Sequence, residues 1–231
     1  MTDTILHTET DDETGIVLKI IVDDCGDTDS PLEYSEGIIF AVLHGRYQNP
    51  AKDKGLTSPE AIAIFGIENA DDYAQFALYL YDHGSRTYRI GDEITQGAPD
   101  VGSRNPFLGR LPQGHAEFDS GRVGSIFVRR EDFPEGHDLS AVAEATCEAY
   151  TDWANGNICG FQIEDEDGNG LDSCWGFIGD YDDSGCLEQA RDAFNAAVSE
   201  AKDGLATAKA IEIEEANLAL IASRPDLYAH A

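Results

Sequence analysis

Two acidic segments have the ligand spacing of the first half of a calcium-binding loop. DEDGNG at residues 165–170 and DYDDSG at 180–185 place oxygen-bearing side chains at alternate positions and a glycine at the sixth, as an EF-hand loop does. The second half is missing, because position twelve, where a bidentate glutamate belongs, holds Gly176 in one case and Arg191 in the other. We therefore predict solvated acidic turns with no resident metal or cofactor. Weak divalent-cation binding at 165–170 or 180–185 is the alternative.

Two further segments carry the residue types of an activated nucleophile. They contribute Asp82 and His83 from one part of the chain, and Asp119 and Ser120 from another. Both segments are also ordinary turn sequences, in which aspartate and serine bond to the local backbone. The sequence has no nucleophile-elbow motif. We predict a protein without catalytic residues, and a hydrolase that uses His83 and Ser120 is the alternative.

Cysteine usage argues against a disulfide framework or a structural zinc site. The five cysteines contain no Cys-x-x-Cys pair, so we predict buried, reduced thiols. The remaining candidates for a histidine metal site are too scattered to predict one: His44, His115 and His137. The cysteines are Cys25, Cys147, Cys159, Cys174 and Cys186.

Net charge is the strongest indication of what this chain binds. Aspartate and glutamate number 45 against 15 lysines and arginines, a formal charge of -30. Direct binding to nucleic acid is disfavoured, because affinity for DNA comes largely from basic groups that release counterions. A basic partner is favoured, since its groove cannot easily distinguish phosphates from similarly spaced carboxylates. The predicted partner-binding residues combine acidic clusters with one aromatic side chain: Glu164, Asp165, Asp167, Trp175, Asp180, Asp182 and Asp183.

Hydrophobic patterning predicts an α+β domain that positions these residues. Ser58 followed by proline predicts a helix at 59–65, and the period of apolar residues predicts another at 139–153. Asp-Gly and Asn-Gly near 167–170 predict a hairpin. Residues 86–113 are predicted to be a long loop or insertion. The predicted strands are 16–22, 37–44, 76–81, 122–130, 158–164 and 171–178.

From Cys186 onward the chain is predicted to be helical. Apolar and small residues recur at seven-residue spacing in a mostly alanine seam, with an interruption near Asp203-Gly204. Such a seam favours packing on its own domain, and a homodimer through these helices is the alternative. We predict a polar leader at 1–15, an α+β domain with a mainly antiparallel sheet and flanking helices at 16–185, and a helical C-terminal extension at 186–231.

Four segments together resemble a family of small acidic proteins encoded by bacteriophages, plasmids and other mobile elements. They are YLYDHG at 79–84, DSGRVGSIFV at 119–128, GFQIED at 160–165 and DSCWGFIGD at 172–180. Their order and spacing carry the resemblance. The chain departs from the family's pattern by an expanded loop before Asp119 and by the helical tail after Cys186. The resemblance implies a mobile-element context rather than a mechanism.

Charge and resemblance lead to one functional hypothesis. We predict a non-enzymatic inhibitor of a host defence or nucleic-acid-handling complex, of anti-CRISPR or anti-restriction type, whose acidic surface mimics nucleic acid. Its expected partner is a basic host protein or nucleoprotein complex, and its expected location is the host cell cytoplasm, since no stretch approaches the roughly 20 apolar residues of a membrane span. The non-enzymatic alternative is an acidic adaptor in phage or plasmid replication or transfer.

Overall fold

The computed structural model describes residues 4–95, 104–111 and 114–223, and these form two compact units. The terminal unit comprises residues 1–23 and 159–231, and the central unit comprises residues 24–158. The strands are β1 (Ile5–Thr10), β2 (Val17–Val22), β3 (Ile38–Val42), β4 (Tyr73–Asp82), β5 (Arg86–Glu93), β6 (Ser120–Arg129), β7 (Ile158–Glu164) and β8 (Gly170–Ile178). The α-helices are α1 (Pro59–Glu68), α2 (His115–Phe118), α3 (Leu139–Asn155) and α4 (Cys186–Ser223).

The terminal unit packs one face of a sheet against the first half of α4. Its strand order is β1-β2-β7-β8, with antiparallel pairing. Alternate residues of β2 point to the same face of the sheet, so Leu18 and Ile20 both join the core, where they meet Phe161 of β7 and Phe194 of α4. From residue 203 to residue 223, by contrast, every residue of α4 is exposed.

The central unit has helices on both faces of its sheet, whose strand order is β3-β6-β4-β5. Successive residues of β3 serve different cores, because side chains alternate across a strand. Phe40 packs with Tyr150 of α3, whereas Ile39 packs with Ile62 of α1. Fold class is therefore as predicted, an α+β fold built on antiparallel sheets with a long C-terminal helix.

Local signals located most elements correctly. All six predicted strands are present, and both predicted helices begin where expected. The Ser58 hydroxyl accepts a hydrogen bond from the Ala61 amide at 3.1 Å and so caps α1, as the sequence predicted. The helix predicted from Cys186 forms as α4, which runs unbroken through Asp203 and Gly204, where the apolar seam was predicted to be interrupted.

The prediction of a loop over residues 86–113 is wrong in its first part, where Arg86–Glu93 form the edge strand β5. Side chains of α3 accept hydrogen bonds from outward-facing amides of this strand. The Tyr88 amide donates to the Thr151 hydroxyl at 2.8 Å, and the Ile90 amide donates to the Glu144 carboxylate at 3.1 Å. A helix distant in sequence thus completes the strand's hydrogen bonding. Residues 96–103 and 112–113 lie outside the described residues.

The domain division predicted from composition does not coincide with the two units. Residues 5–10 of the predicted polar leader form β1, which pairs with β2. The terminal unit draws on both ends of the chain, so its strands are neighbours in space and distant in sequence.

Among the described residues, the helices include none with the length and apolar character needed to cross a membrane.

Candidate functional site

Six of the seven predicted partner-binding residues lie on the edge strand β8 or in the turn and loop at its two ends, and the seventh, Glu164, is the last residue of the neighbouring strand β7. We call this set the acidic edge: Glu164, Asp165, Asp167, Trp175, Asp180, Asp182 and Asp183. Two of its members, Asp165 and Asp167, belong to the turn before β8, and three belong to the loop after it. Nine residues of extended chain separate these acidic groups by roughly 25–30 Å. The structure therefore places the acidic groups in an elongated array rather than in one cluster.

Asp165 organises the turn between β7 and β8. Its Oδ1 accepts hydrogen bonds from the amides of Asp167 at 3.0 Å and Asn169 at 2.7 Å, and its Oδ2 accepts one from the Asn169 side chain at 2.8 Å. These bonds favour the ionised form and lower the pKa of the Asp165 carboxyl. The segment that resembles half an EF-hand is thus a hairpin turn whose first carboxylate already has protein donors.

Asp180 has a similar local role after β8. Its Oδ1 accepts a hydrogen bond from the Asp182 amide at 3.0 Å, and its carbonyl accepts one from the Ser184 amide at 2.8 Å. Glu164, in turn, pairs with Lys19 across the sheet, with 2.6 Å between Oε2 and Nζ. Three of the predicted binding residues therefore support the fold of the terminal unit itself.

The three other acidic members of the set face solvent. Asp167, Asp182 and Asp183 are exposed, and their carboxylates form no ion pair within the described parts of the chain. No lysine or arginine occurs anywhere between Arg130 and Arg191. These three carboxylates are available to a cationic partner.

Basic side chains of the terminal unit are mostly neutralised within it. Arg191 pairs with Glu9 at 2.6 Å, and Lys202 pairs with Asp11 at 2.9 Å. Lys19 pairs with Glu164 in the same way, so none of these three basic side chains is an unpaired cation beside the acidic edge. The surface charge that this strand presents is negative at both ends.

Trp175 lies near the middle of β8 and remains 43% exposed. Its indole covers Gly160 of β7 so closely that a Cβ built on Gly160 would lie 2.7 Å from Cδ2 of the ring. Phe177 of the same strand, by contrast, packs against the core of the terminal unit. Trp175 therefore offers an apolar surface between the two acidic ends, as an interface hot spot with an acidic rim would.

Replacing Gly160 by alanine is expected to displace Trp175 and to lower the free energy of unfolding by about 1–3 kcal/mol. The new methyl group would also lie 2.6 Å from the carbonyl oxygen of Cys174, so backbone as well as side chain must shift. Fluorescence in a Trp153→Phe background would report the exposure of Trp175 through a red shift of its emission. Gly170→Ala is the matched control, because nothing lies within 4 Å of its built Cβ. An unshifted spectrum for Gly160→Ala would contradict the packing described.

The hydrolase alternative requires a hydrogen bond between Ser120 and His83, but these two side chains have other partners. Nδ1 of His83 lies 3.0 Å from Oδ2 of Asp119. The Ser120 hydroxyl instead donates to the Ala116 carbonyl and accepts a hydrogen bond from the Asn105 side chain at 2.9 Å. Ser120 thus forms no hydrogen bond with His83 in the described structure, and its bonds are those of a local turn residue.

His115 is the functional candidate that sequence reasoning missed. In the sequence it is one of several scattered histidines, yet the structure brings it against His83, with the ring centroids 4.7 Å apart. His115 and Asp119 are four residues apart across a short helix, a spacing that places two side chains on one face. That spacing was the signal in the sequence that could have paired His115 with Asp119. The contact of His115 with His83 depends on tertiary structure.

The cysteine predictions are confirmed for three of the five thiols. Cys147, Cys159 and Cys186 are buried, and all five cysteines are free. Burial raises the pKa of each buried thiol, that of Cys186 to about 12, so these groups stay protonated and are poor nucleophiles. The prediction of burial is wrong for Cys25, which is exposed, and Cys174 is only half-buried.

The chain matches no family model, no curated protein and no solved structure. The resemblance to small acidic proteins of mobile elements therefore stays a prediction.

Proposed function

We propose that this chain is a non-enzymatic inhibitor that binds a basic, nucleic-acid-handling complex through the acidic edge. The observation that carries the proposal is an edge strand with exposed, unpaired carboxylates at both ends and a half-exposed tryptophan between them. The context, defence evasion by a mobile element of anti-CRISPR or anti-restriction type, comes from the sequence resemblance. The cytoplasm of the host cell is where such a complex would be met.

The dimensions of the acidic edge support mimicry of a nucleic acid. Its acidic ends are roughly 25–30 Å apart, which corresponds to about seven to nine steps of 3.4 Å along one strand of duplex DNA. A groove that binds phosphates over that length would meet carboxylates at both of its ends. The intervening Trp175 supplies apolar contact area that phosphates lack, which favours a protein partner's surface over nonspecific ion pairing.

Electrostatic attraction should govern how fast the complex forms. A formal charge of -30 attracts a cationic partner over distances comparable with the Debye length, about 10 Å at 0.1 M salt. Association is therefore expected to be fast at low salt and to slow steeply as salt is added. Dissociation should depend more on the direct contacts of Trp175, since buried apolar contacts are not screened by salt.

The decisive experiment removes only the carboxylates that have no structural role. The triple variant Asp167→Asn, Asp182→Asn, Asp183→Asn is expected to associate about tenfold more slowly with its partner at low salt. The partner would first be recovered from bacterial lysate at low salt with the wild-type protein. Competition between this protein and a labelled DNA or RNA duplex for the purified partner would then be followed by fluorescence anisotropy.

A control of equal charge separates the acidic edge from net charge. Glu212→Gln, Glu214→Gln, Glu215→Gln removes three exposed carboxylates from the far half of α4. This control is expected to compete almost as well as the wild type, whereas the triple variant of the acidic edge is not. Equal competition by both variants would contradict the assigned surface, and wild-type protein that fails to displace the duplex would contradict mimicry itself.

A further inference from the structure

Two histidines and an aspartate converge at one end of the central unit's sheet. His83 lies in the turn after β4, His115 begins α2, and Asp119 directly follows α2. The Asp82 amide donates a hydrogen bond to the Asp119 carbonyl at 2.9 Å, and the Asp119 amide donates one to the His115 carbonyl at 2.9 Å. Main-chain hydrogen bonds thus hold the three backbones in place independently of their side chains.

The side chains are close enough to share one cation. Nδ1 of His83 and Nδ1 of His115 lie 3.0 and 4.0 Å from the same oxygen, Oδ2 of Asp119. One ligand atom from each residue lies within 4.8 Å of the other two. Ligands of a tetrahedral zinc ion, at bond lengths of about 2.0–2.1 Å, are about 3.4 Å apart. Small side-chain rotations would therefore complete the coordination.

An ordinary ion pair between His83 and Asp119 explains only part of this arrangement. Nδ1 of His115 lies 4.0 Å from the same carboxylate oxygen, beyond hydrogen-bond reach, and the two imidazole rings are tilted by 56° with their centroids 4.7 Å apart. The His83–Asp119 contact therefore does not account for the approach of His115. A dication between the three groups would engage all of them, because both rings and the carboxylate can each donate a lone pair to it.

The three side chains are bounded by an aromatic ring on one side and are open to solvent on the other. On one side, the Tyr81 ring stacks on His83, and its hydroxyl lies 3.5 Å from Nδ1 of His115. Tyr81 is itself packed against buried Phe107. On the other side the site is open, since the His83, His115 and Asp119 side chains are 55%, 40% and 31% exposed. An ion can therefore enter from solvent without opening the core.

We propose that His83, His115 and Asp119 bind one divalent transition-metal ion of the zinc class. Two imidazoles and one carboxylate suit Zn²⁺ and Co²⁺, whereas Mg²⁺ and Ca²⁺ prefer oxygen ligands throughout. Three protein ligands leave a coordination position for water or an exchangeable ligand. All three residues belong to the central unit, and the site is independent of the function proposed for the acidic edge.

Cobalt and zinc titrations test this site directly. Tag-free protein stripped with a chelator would be titrated with Co²⁺, followed by visible absorption, and with Zn²⁺, followed by calorimetry. A large excess of Mg²⁺ in the buffer would occupy the nonspecific acidic surface. We expect one tightly held ion per chain and no thiolate-to-cobalt charge-transfer band, since no cysteine is a proposed ligand. His83→Gln and His115→Gln should each weaken binding at least about tenfold.

His137→Gln is the matched control, because His137 is an exposed histidine of the same unit that stacks on Phe133 instead. It should bind the metal as the wild type does. Nitrogen-detected NMR of the imidazoles should show Zn²⁺-induced shifts for His83 and His115 and none for His137, a readout that needs no variant. Absence of a one-to-one ion under excess Mg²⁺, or unchanged affinity in both ligand variants, would overturn the proposal.

Discussion

Phe161→Ala is expected to lower the free energy of unfolding of the terminal unit by about 3–5 kcal/mol. Phe161 is 1% exposed on β7, and its ring packs against Phe177 of β8, with the centroids 6.2 Å apart. It also belongs to the core that Phe194 of α4 completes. Alanine would remove apolar burial and leave a cavity between the sheet and the helix, so both costs are incurred at once.

Urea unfolding would measure this loss. In a Trp153→Phe background, Trp175 is the remaining tryptophan, and its emission reports the terminal unit. Leu205→Ala is the control in the same unit, and because Leu205 is 53% exposed on α4 it should alter stability by no more than about 0.5 kcal/mol. A buried aromatic residue is expected to contribute at least ~3 kcal/mol to the free energy of unfolding. A loss of less than about 1 kcal/mol for Phe161→Ala would show that the core assignment is wrong.

The same variant connects the core to the acidic edge. Phe161 and Phe177 are neighbours on the two strands that flank the turn of Asp165. Loosening this contact should weaken the partner binding proposed for the acidic edge, even though no surface charge changes. The triple variant of the acidic edge removes charge and leaves the core intact. Comparing the two variants would separate the positioning of the carboxylates from their electrostatic attraction to the partner.

Gly124→Ala is expected to destabilise the central unit by about 3 kcal/mol, at the upper end of the range for overpacked sites. Gly124 lies in β6, between β3 and β4, and pairs with Val42 and Leu78. A Cβ there would overlap the carbonyl oxygen of Ala41 and lie 2.9 Å from its carbonyl carbon. Because the obstacle is backbone rather than a flexible side chain, the strands themselves must separate.

Gly121→Ala supplies the control within the same strand. Nothing lies within 4 Å of the Cβ built on Gly121, so this change should cost little. Unfolding followed by the emission of Trp153 in a Trp175→Phe background would report the central unit. Two glycine substitutions of equal cost would show that β3 does not approach β6 as closely as described.

Elements with a strong local signal were predictable from sequence. The run VLKIIV forms β2, and the Ser58-Pro59 start forms α1, because β-branched residues and helix caps act within a few positions of the chain. Elements without such a signal were missed. β5 contains charged and polar residues. It becomes a strand only because it pairs with β4 along one edge, while side chains of α3 accept hydrogen bonds from outward-facing amides of this strand.

The candidate site divides in the same way. The sequence predicted the seven residues of the acidic edge but could not distinguish Asp165 and Asp180, which hold turns, from Asp182, which has no ion pair among the described residues. That distinction depends on hydrogen bonds whose geometry exists only after the hairpin forms. The exposure of Trp175 likewise follows from its packing on Gly160 of a neighbouring strand.

Composition and local patterning by themselves determined the acidity of this protein, its α+β class and the positions of most strands and helices. Charge is a property of the residue list, and hydrophobic period and capping act over a few residues, so neither requires knowledge of distant contacts. Tertiary structure alone decided that residues 5–22 and 158–178 build one sheet, and that His83 meets His115 and Asp119. Those outcomes depend on pairing between residues far apart in the chain, for which a single sequence carries no local signal.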